Sequence, residues 1–153
     1  MNGPKLFLVF CSLISAAQAS ENIPFEYVPK KVRLAIQDYI PGATIEKTEI
    51  DSDDTWGTTF ESHYLRGRHE GNIKVAANGE LLNVEQELDP DEIPSKVRRS
   101  VIREARGGLI RKAELKQYAG HLAYKVEAYY GTSDSKVSVT ATRSGTVLNI
   151  DFD

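Results

Sequence analysis

Ile93-Pro94-Ser95-Lys96-Val97-Arg98 decides how this chain is read, because Val28-Pro29-Lys30-Lys31-Val32-Arg33 answers it 65 positions upstream. Each stretch opens on an apolar residue and a proline and runs into Lys-Val-Arg. Farther along, Gly145-Thr146-Val147-Leu148-Asn149-Ile150 answers Gly79-Glu80-Leu81-Leu82-Asn83-Val84 at an offset of 66. Two matches in the same order at nearly one spacing point to internal repetition, with one residue gained or lost between them. The expected body is a tandem of two copies, residues 28–88 and 93–153.

Within each expected copy the apolar period changes from 3.6 to 2. Proline suits the first turn of a helix, where its missing N–H costs nothing. Val32, Ala35, Ile36, Tyr39 and Ile40 then form one apolar stripe, which Pro41-Gly42 ends. Val97, Val101 and Ala105 make the second stripe, which Gly107-Gly108 closes. Strands follow each helix. The first, 44–51, is weak, and the odd spacing of Ile45 and Ile50 suggests a bulge. Next, Trp56, Thr58, Phe60, Ser62 and Tyr64 alternate with Thr59, Glu61 and His63. Ile73, Val75 and Ala77 are expected inward, Asn78-Gly79 turns the chain, and Leu82 and Val84 point inward again. Glu85 to Glu92 reads as an acidic junction. After a strand at 110–116, the inward rows are Leu122, Tyr124, Val126, Ala128 and Tyr130, then Val137, Val139 and Ala141, then Leu148, Ile150 and Phe152. The expected fold class is α+β, a tandem repeat in which each copy is a helix packed on a four-stranded antiparallel sheet.

Of 153 residues, 41% are hydrophobic and 27% charged, the balance of a globular chain. Residues 1–19 read as a signal peptide: Lys5, the apolar run Leu6 to Ile14, then Ala17-Gln18-Ala19. The expected location is therefore periplasmic or secreted, with no integral membrane segment after cleavage at Ser20. A lipoprotein reading would use Cys11, but the bulky Phe10 precedes it. Cys11 is the only cysteine, so the exported chain has no disulfide, thiol chemistry or cysteine-bound metal. Charge divides the body. Residues 20–92 hold 16 acidic and 7 basic residues, whereas residues 93–153 hold 6 and 11. The basic cluster from Lys96 to Lys112 is not expected to meet nucleic acid, because the chain is acidic and exported and has no stacking platform beside the cluster.

The stretches IPSKVRRSVIREARGG (93–108), YKVEAYY (124–130) and RSGTVLNID (143–151), with fainter counterparts VPKKVRLAIQDYIPG (28–42) and ANGELLNVE (77–85), resemble the PepSY-like domains of exported bacterial proteins. Such domains are similar in fold to the repeats of β-lactamase inhibitory protein. The resemblance implies an exported module that binds a protein or peptide partner. It carries no catalytic signature and implies no cofactor.

The chemistry-bearing residues give little support to catalysis. Asp51-Ser52-Asp53-Asp54 resembles the start of a calcium loop, but Trp56 and Ser62 stand where Gly and Glu are required, leaving a solvated acidic turn. His63 and His69 lack a third nearby histidine or any cysteine, and His121 is far along the chain, so no metal site is expected. No Gly-x-Ser-x-Gly elbow supports a Ser-His-Asp triad. Glu61 and Glu127 hold equivalent outward positions, where surface glutamates are ordinary. Two alternatives to a non-catalytic binding module stay open: a secreted hydrolase working through Glu61 and His63, and a structural exported domain without a dedicated ligand. The residues expected to contact the partner are Lys125, Glu127 and Tyr129, an outward row ending in a tyrosine, a residue type enriched in binding hot spots.

Overall fold

Proline sets where both helices begin. The structure, a computed structural model, describes residues 20–132 and 134–153; the expected signal peptide, with Cys11, lies outside the described residues. Pro29 is the N-cap of α1 (Lys30–Tyr39) and Pro94 that of α2 (Ser95–Glu104), each in an extended conformation that hands a preset φ to the first turn. Val32 and Ile36 of α1, and Val97 and Val101 of α2, are fully buried. At its far end α2 gives way to Arg106 and Gly107, both in the left-handed region. The next residue, Gly108, lies against the Tyr129 carbonyl, where an added Cβ would stand 1.6 Å from the oxygen. No other residue fits there.

The strands are β1 (Glu21–Ile23), β2 (Thr44–Asp53), β3 (Gly57–Arg66), β4 (His69–Ala76), β5 (Leu81–Leu88), β6 (Ile110–Tyr118), β7 (His121–Tyr129), β8 (Lys136–Ala141) and β9 (Val147–Phe152). Among the described residues, these nine join in one antiparallel sheet whose spatial order is the chain order. This corrects the expectation of an α+β tandem of two units, each a helix on its own four-stranded sheet. Glu85, Gln86, Glu87 and Leu88 of β5 pair with Lys116, Leu115, Glu114 and Ala113 of β6, so the sheet runs unbroken across the chain's middle. The physical reason is the edge. A strand such as β5, left open, would present unpaired N–H and C=O groups, and β6 satisfies them. The acidic junction read at Glu85 to Glu92 accordingly begins inside a strand, and only Pro90–Glu92 form a short 3-10 turn. Residues ahead of the first expected copy supply β1, paired with β2 through Glu21–Ile50 and Ile23–Thr48.

Both helices cover one face of the sheet, α1 over β4 and α2 over β7 and β8. That face carries cross-strand rows such as Ile50–Phe60–Val75–Leu81 and Leu88–Ala113–Val126–Val139–Ile150. Bulges move several expected inward residues. A register shift at Lys74/Val75 makes Leu81 the buried residue and leaves Leu82 only half-buried. Another at Thr140/Ala141 sets Val147 against Ala141 and leaves Leu148 exposed. A third, between Ile45 and Lys47, accounts for the odd spacing noted in β2. Trp56 sits in the β2–β3 turn and is exposed rather than inward, as is Ala77 in the β4–β5 turn. Phe152 is mostly exposed, with its ring edge-on to Tyr130 at 5.5 Å.

Candidate functional site

With both helices on one side, the opposite face of the sheet is left open, and alternation fills it with polar residues. Glu49, Glu61, Lys74 and Asn83 form one cross-strand row there. Lys47, His63, Asn72, Glu85, Lys116 and Ala123 form the next. Glu87, Glu114, Lys125, Thr140 and Asn149 form a third. The seam between β5 and β6 is short, four register pairs against eight for β3–β4. Beyond Glu85 and Lys116 the two strands have no shared register, and a groove of about 660 Å³ lies over this end of the seam, lined from β3 across to β6. Its polar lining includes Glu70, Glu85, Glu87, Glu114, His63 and Lys116, an acidic balance. Lys112 lies beside it, 2.5 Å from Glu114 and 3.9 Å from Glu87. The hydrogen bond from Lys112 holds the Glu114 carboxyl below the usual range against the opposing effect of partial burial. Glu114 in turn raises the pKa of Lys112. Both groups are thus held in their charged forms.

Lys125, Glu127 and Tyr129 fall on this face of β7, all half-buried, one strand beyond the groove. Lys125 pairs across to Glu114, Glu127 to Lys112, and the Arg111 guanidinium lies 5.2 Å from the centre of the Tyr129 ring. None of the three lines the groove itself. The groove's own acidic residues went unnoticed in the sequence because the EQE of β5 read as part of a junction. Its alternation, Glu85 and Glu87 outward around buried Gln86, was the available signal.

Glu61 and His63 also share the open face, but no hydrogen bond joins them among the described residues. Glu61 lies between Glu49 and Lys74, and His63 between Lys47 and Asn72. Glu61 and Glu127 sit four strands apart, about 19 Å at the usual strand spacing, too far to act on one bond. At the β2–β3 turn, Asp53 Oδ1 accepts from the backbone N–H of Thr55 and Trp56 at 2.8 and 2.9 Å. Those bonds hold its carboxyl below the usual range. The acidic run is a turn stabilised by its own side chain.

His69 lies elsewhere, at the hairpin end of β4. Its Nε2 is 3.1 Å from Asp89 Oδ2 and 3.4 Å from Glu92 Oε2, and Arg68 also pairs with Asp89. Asp89 and Glu92 form a capping box: the Asp89 N–H donates to Glu92 Oε2 at 2.7 Å, and the Glu92 N–H returns the bond to the Asp89 side chain. Beneath them the buried Gln86 amide donates to the carbonyls of Arg66 and His69, both at 3.4 Å, and accepts from the Tyr64 hydroxyl. Burial pushes the Tyr64 pKa up to about 12.

No family model matches the chain, and no curated protein matches it in sequence. Solved structures resemble it in shape. A BLIP-like protein from Bacteroides fragilis is 16% identical, with 80% of this chain and 84% of that one covered at a TM-score of 0.48. A protein of unknown function from Bacteroides vulgatus, assigned to the periplasm, is 13% identical over 87% of this chain and 99% of its own, also at 0.48. A member of an uncharacterised family from Bacteroides uniformis is 15% identical over 82% and 90%, at 0.46. Among the described residues no helix is long and apolar enough to cross a membrane.

Proposed function

We propose that the protein is an exported, non-catalytic binding module whose open sheet face receives a protein or peptide partner. The observation that carries this reading is the asymmetry of the sheet. Nine strands present one face to two helices and leave the other uncovered, with a groove where β5 and β6 part. A broad polar face of this kind suits recognition, and the groove within it gives a segment of the partner a place to seat. The PepSY-like resemblance supports the same reading, and so do residues 1–19, whose pattern is that of an export signal. Lys125, Glu127 and Tyr129 provide the contact beside the groove. Tyrosine contributes a large, stiff surface, and Arg111 against its ring holds it in place.

The test is capture from the exported fraction by the wild-type chain and by two variants. Tyr129→Ala reduces recovery of the bound protein with little loss of thermal stability. Arg99→Ala, on the exposed side of α2, leaves recovery unchanged. Equal capture by wild type and Tyr129→Ala would remove this face from the contact.

A further inference from the structure

The cluster of His69, Asp89 and Glu92 lies away from the proposed contact on β7, and it has the dimensions of a metal site. One donor atom from each residue falls within 4.8 Å of the others. In a tetrahedral zinc site with bonds of about 2.0–2.1 Å, neighbouring ligand atoms stand about 3.3–3.4 Å apart. The two separations from His69 Nε2, 3.1 and 3.4 Å, bracket that spacing.

The three donors are also held from behind. Both carboxylates are oriented by the reciprocal capping box, Asp89 by the Glu92 N–H and Glu92 by the Asp89 N–H. The His69 backbone is tied down by Gln86, and the Glu92 carboxylate rests over Gly67, where an added Cβ would meet Oε1 at 3.4 Å. Such supporting bonds fix ligand direction in metal sites. All three side chains keep access to solvent, with 21, 26 and 36% of their surface exposed, so an ion can enter. One cation already competes. Arg68 pairs with Asp89, but its side chain is 75% exposed and is free to swing away.

We infer that His69, Asp89 and Glu92 bind a single divalent transition-metal ion, Zn²⁺ by donor chemistry, that clamps the β3–β4 hairpin to the turn before α2. One imidazole and two carboxylates suit zinc better than calcium, whose sites are built from six to eight oxygens. The fourth position is left to water or to a group on a partner. The sequence hides the site because His69 precedes its nearer carboxylate by 20 residues, and the β3–β4 hairpin has to meet the end of β5 before the donors converge.

The test uses the full exported chain, freed of metal with a chelator and titrated with Zn²⁺ by calorimetry, and separately with Co²⁺ by visible absorption. The expected result is saturation at one equivalent, a raised melting temperature, a four-coordinate Co²⁺ spectrum and no response to the same concentration of Ca²⁺. His69→Ala weakens Zn²⁺ binding by about tenfold or more, while His63→Ala leaves it unchanged. Arg68→Ala strengthens binding, because it removes the competing cation; an ordinary ion-pair cluster predicts no such gain. Arg68 is exposed, so this variant stays informative even if His69→Ala fails to fold. Absence of saturable binding overturns the inference. So does equal affinity in His69→Ala, a Ca²⁺ response matching that of Zn²⁺, or an Arg68→Ala variant that binds no tighter.

Discussion

Tyr64 and Gly71 show how closely single residues are matched. They face each other across β3 and β4, and the tyrosine ring lies where a Gly71 side chain would stand. An added Cβ would fall 2.5 Å from the ring and 2.9 Å from the Glu85 carbonyl. Gly71→Ala is therefore expected to destabilise the protein by about 1–3 kcal/mol, the usual cost of overpacking. Urea denaturation measures this, and an unchanged midpoint would mean that Tyr64 has another place to go. The open and covered faces differ as sharply. Phe60 is buried and Glu61 beside it is not, so Phe60→Ala should cost about 3–5 kcal/mol. Glu61→Ala should stay within about 0.5 kcal/mol. Similar losses from both would place β3 one residue out of register. Alternation in the sequence was enough to assign these two faces in β3 and β7. It could not place Leu81 or Leu148, because a bulge is set by the partner strand and leaves the residue's own neighbours unchanged.

Among the elements, the β3–β4 hairpin depends most on its surroundings. Its tip is held to the turn before α2 through Asp89, whose carboxyl is kept below its ordinary pKa first by the hydrogen bond from His69, with help from Arg68, against the opposing effect of burial. A carboxyl depressed in the folded state contributes stability that is complete above its unfolded value, about 3.9, and is lost as the pH falls through the folded value. The stability difference between wild type and Asp89→Asn should therefore hold near neutrality, begin to fall as the pH drops below about 4, and vanish only below the folded pKa. Melting curves across that range check it; a difference that persisted in acid would assign the effect to packing. The helices are simpler. Val28-Pro29 and Ile93-Pro94 mark their starts, and the stripes name the side chains they bury, so both were legible from local spacing. The hairpin clamp was not. His69 and Asp89 are 20 residues apart and meet only because β4 and β5 are paired.

For the molecule as a whole, the β5–β6 seam determines how the chain unfolds. Four residue pairs, backed by buried Leu88, Ala113, Leu115 and Val126, join the first half to the second. The ion pair across it, Lys112 to Glu87, is long at 3.9 Å and exposed, so the opposite charges of the halves are not what holds them together. One cooperative transition is expected. Trp56 fluorescence, in the first half, and amide exchange of Val126 and Val139, in the second, should report the same midpoint in denaturant and shift little with salt. Two midpoints would mean the halves fold independently. The sequence by itself determined where the helices start and stop, the polar and apolar sides of β3 and β7, the positions of the turns and the pattern of an export signal. Each of these depends on residues within one or two turns of one another. Tertiary structure alone decided that nine strands share one sheet, that β1 joins it, that a groove opens beside a short seam, and that His69 faces two carboxylates. Those outcomes depend on which strand edges meet, and open edges pair through backbone groups that every residue but proline carries alike, so side-chain pattern does not name the partner.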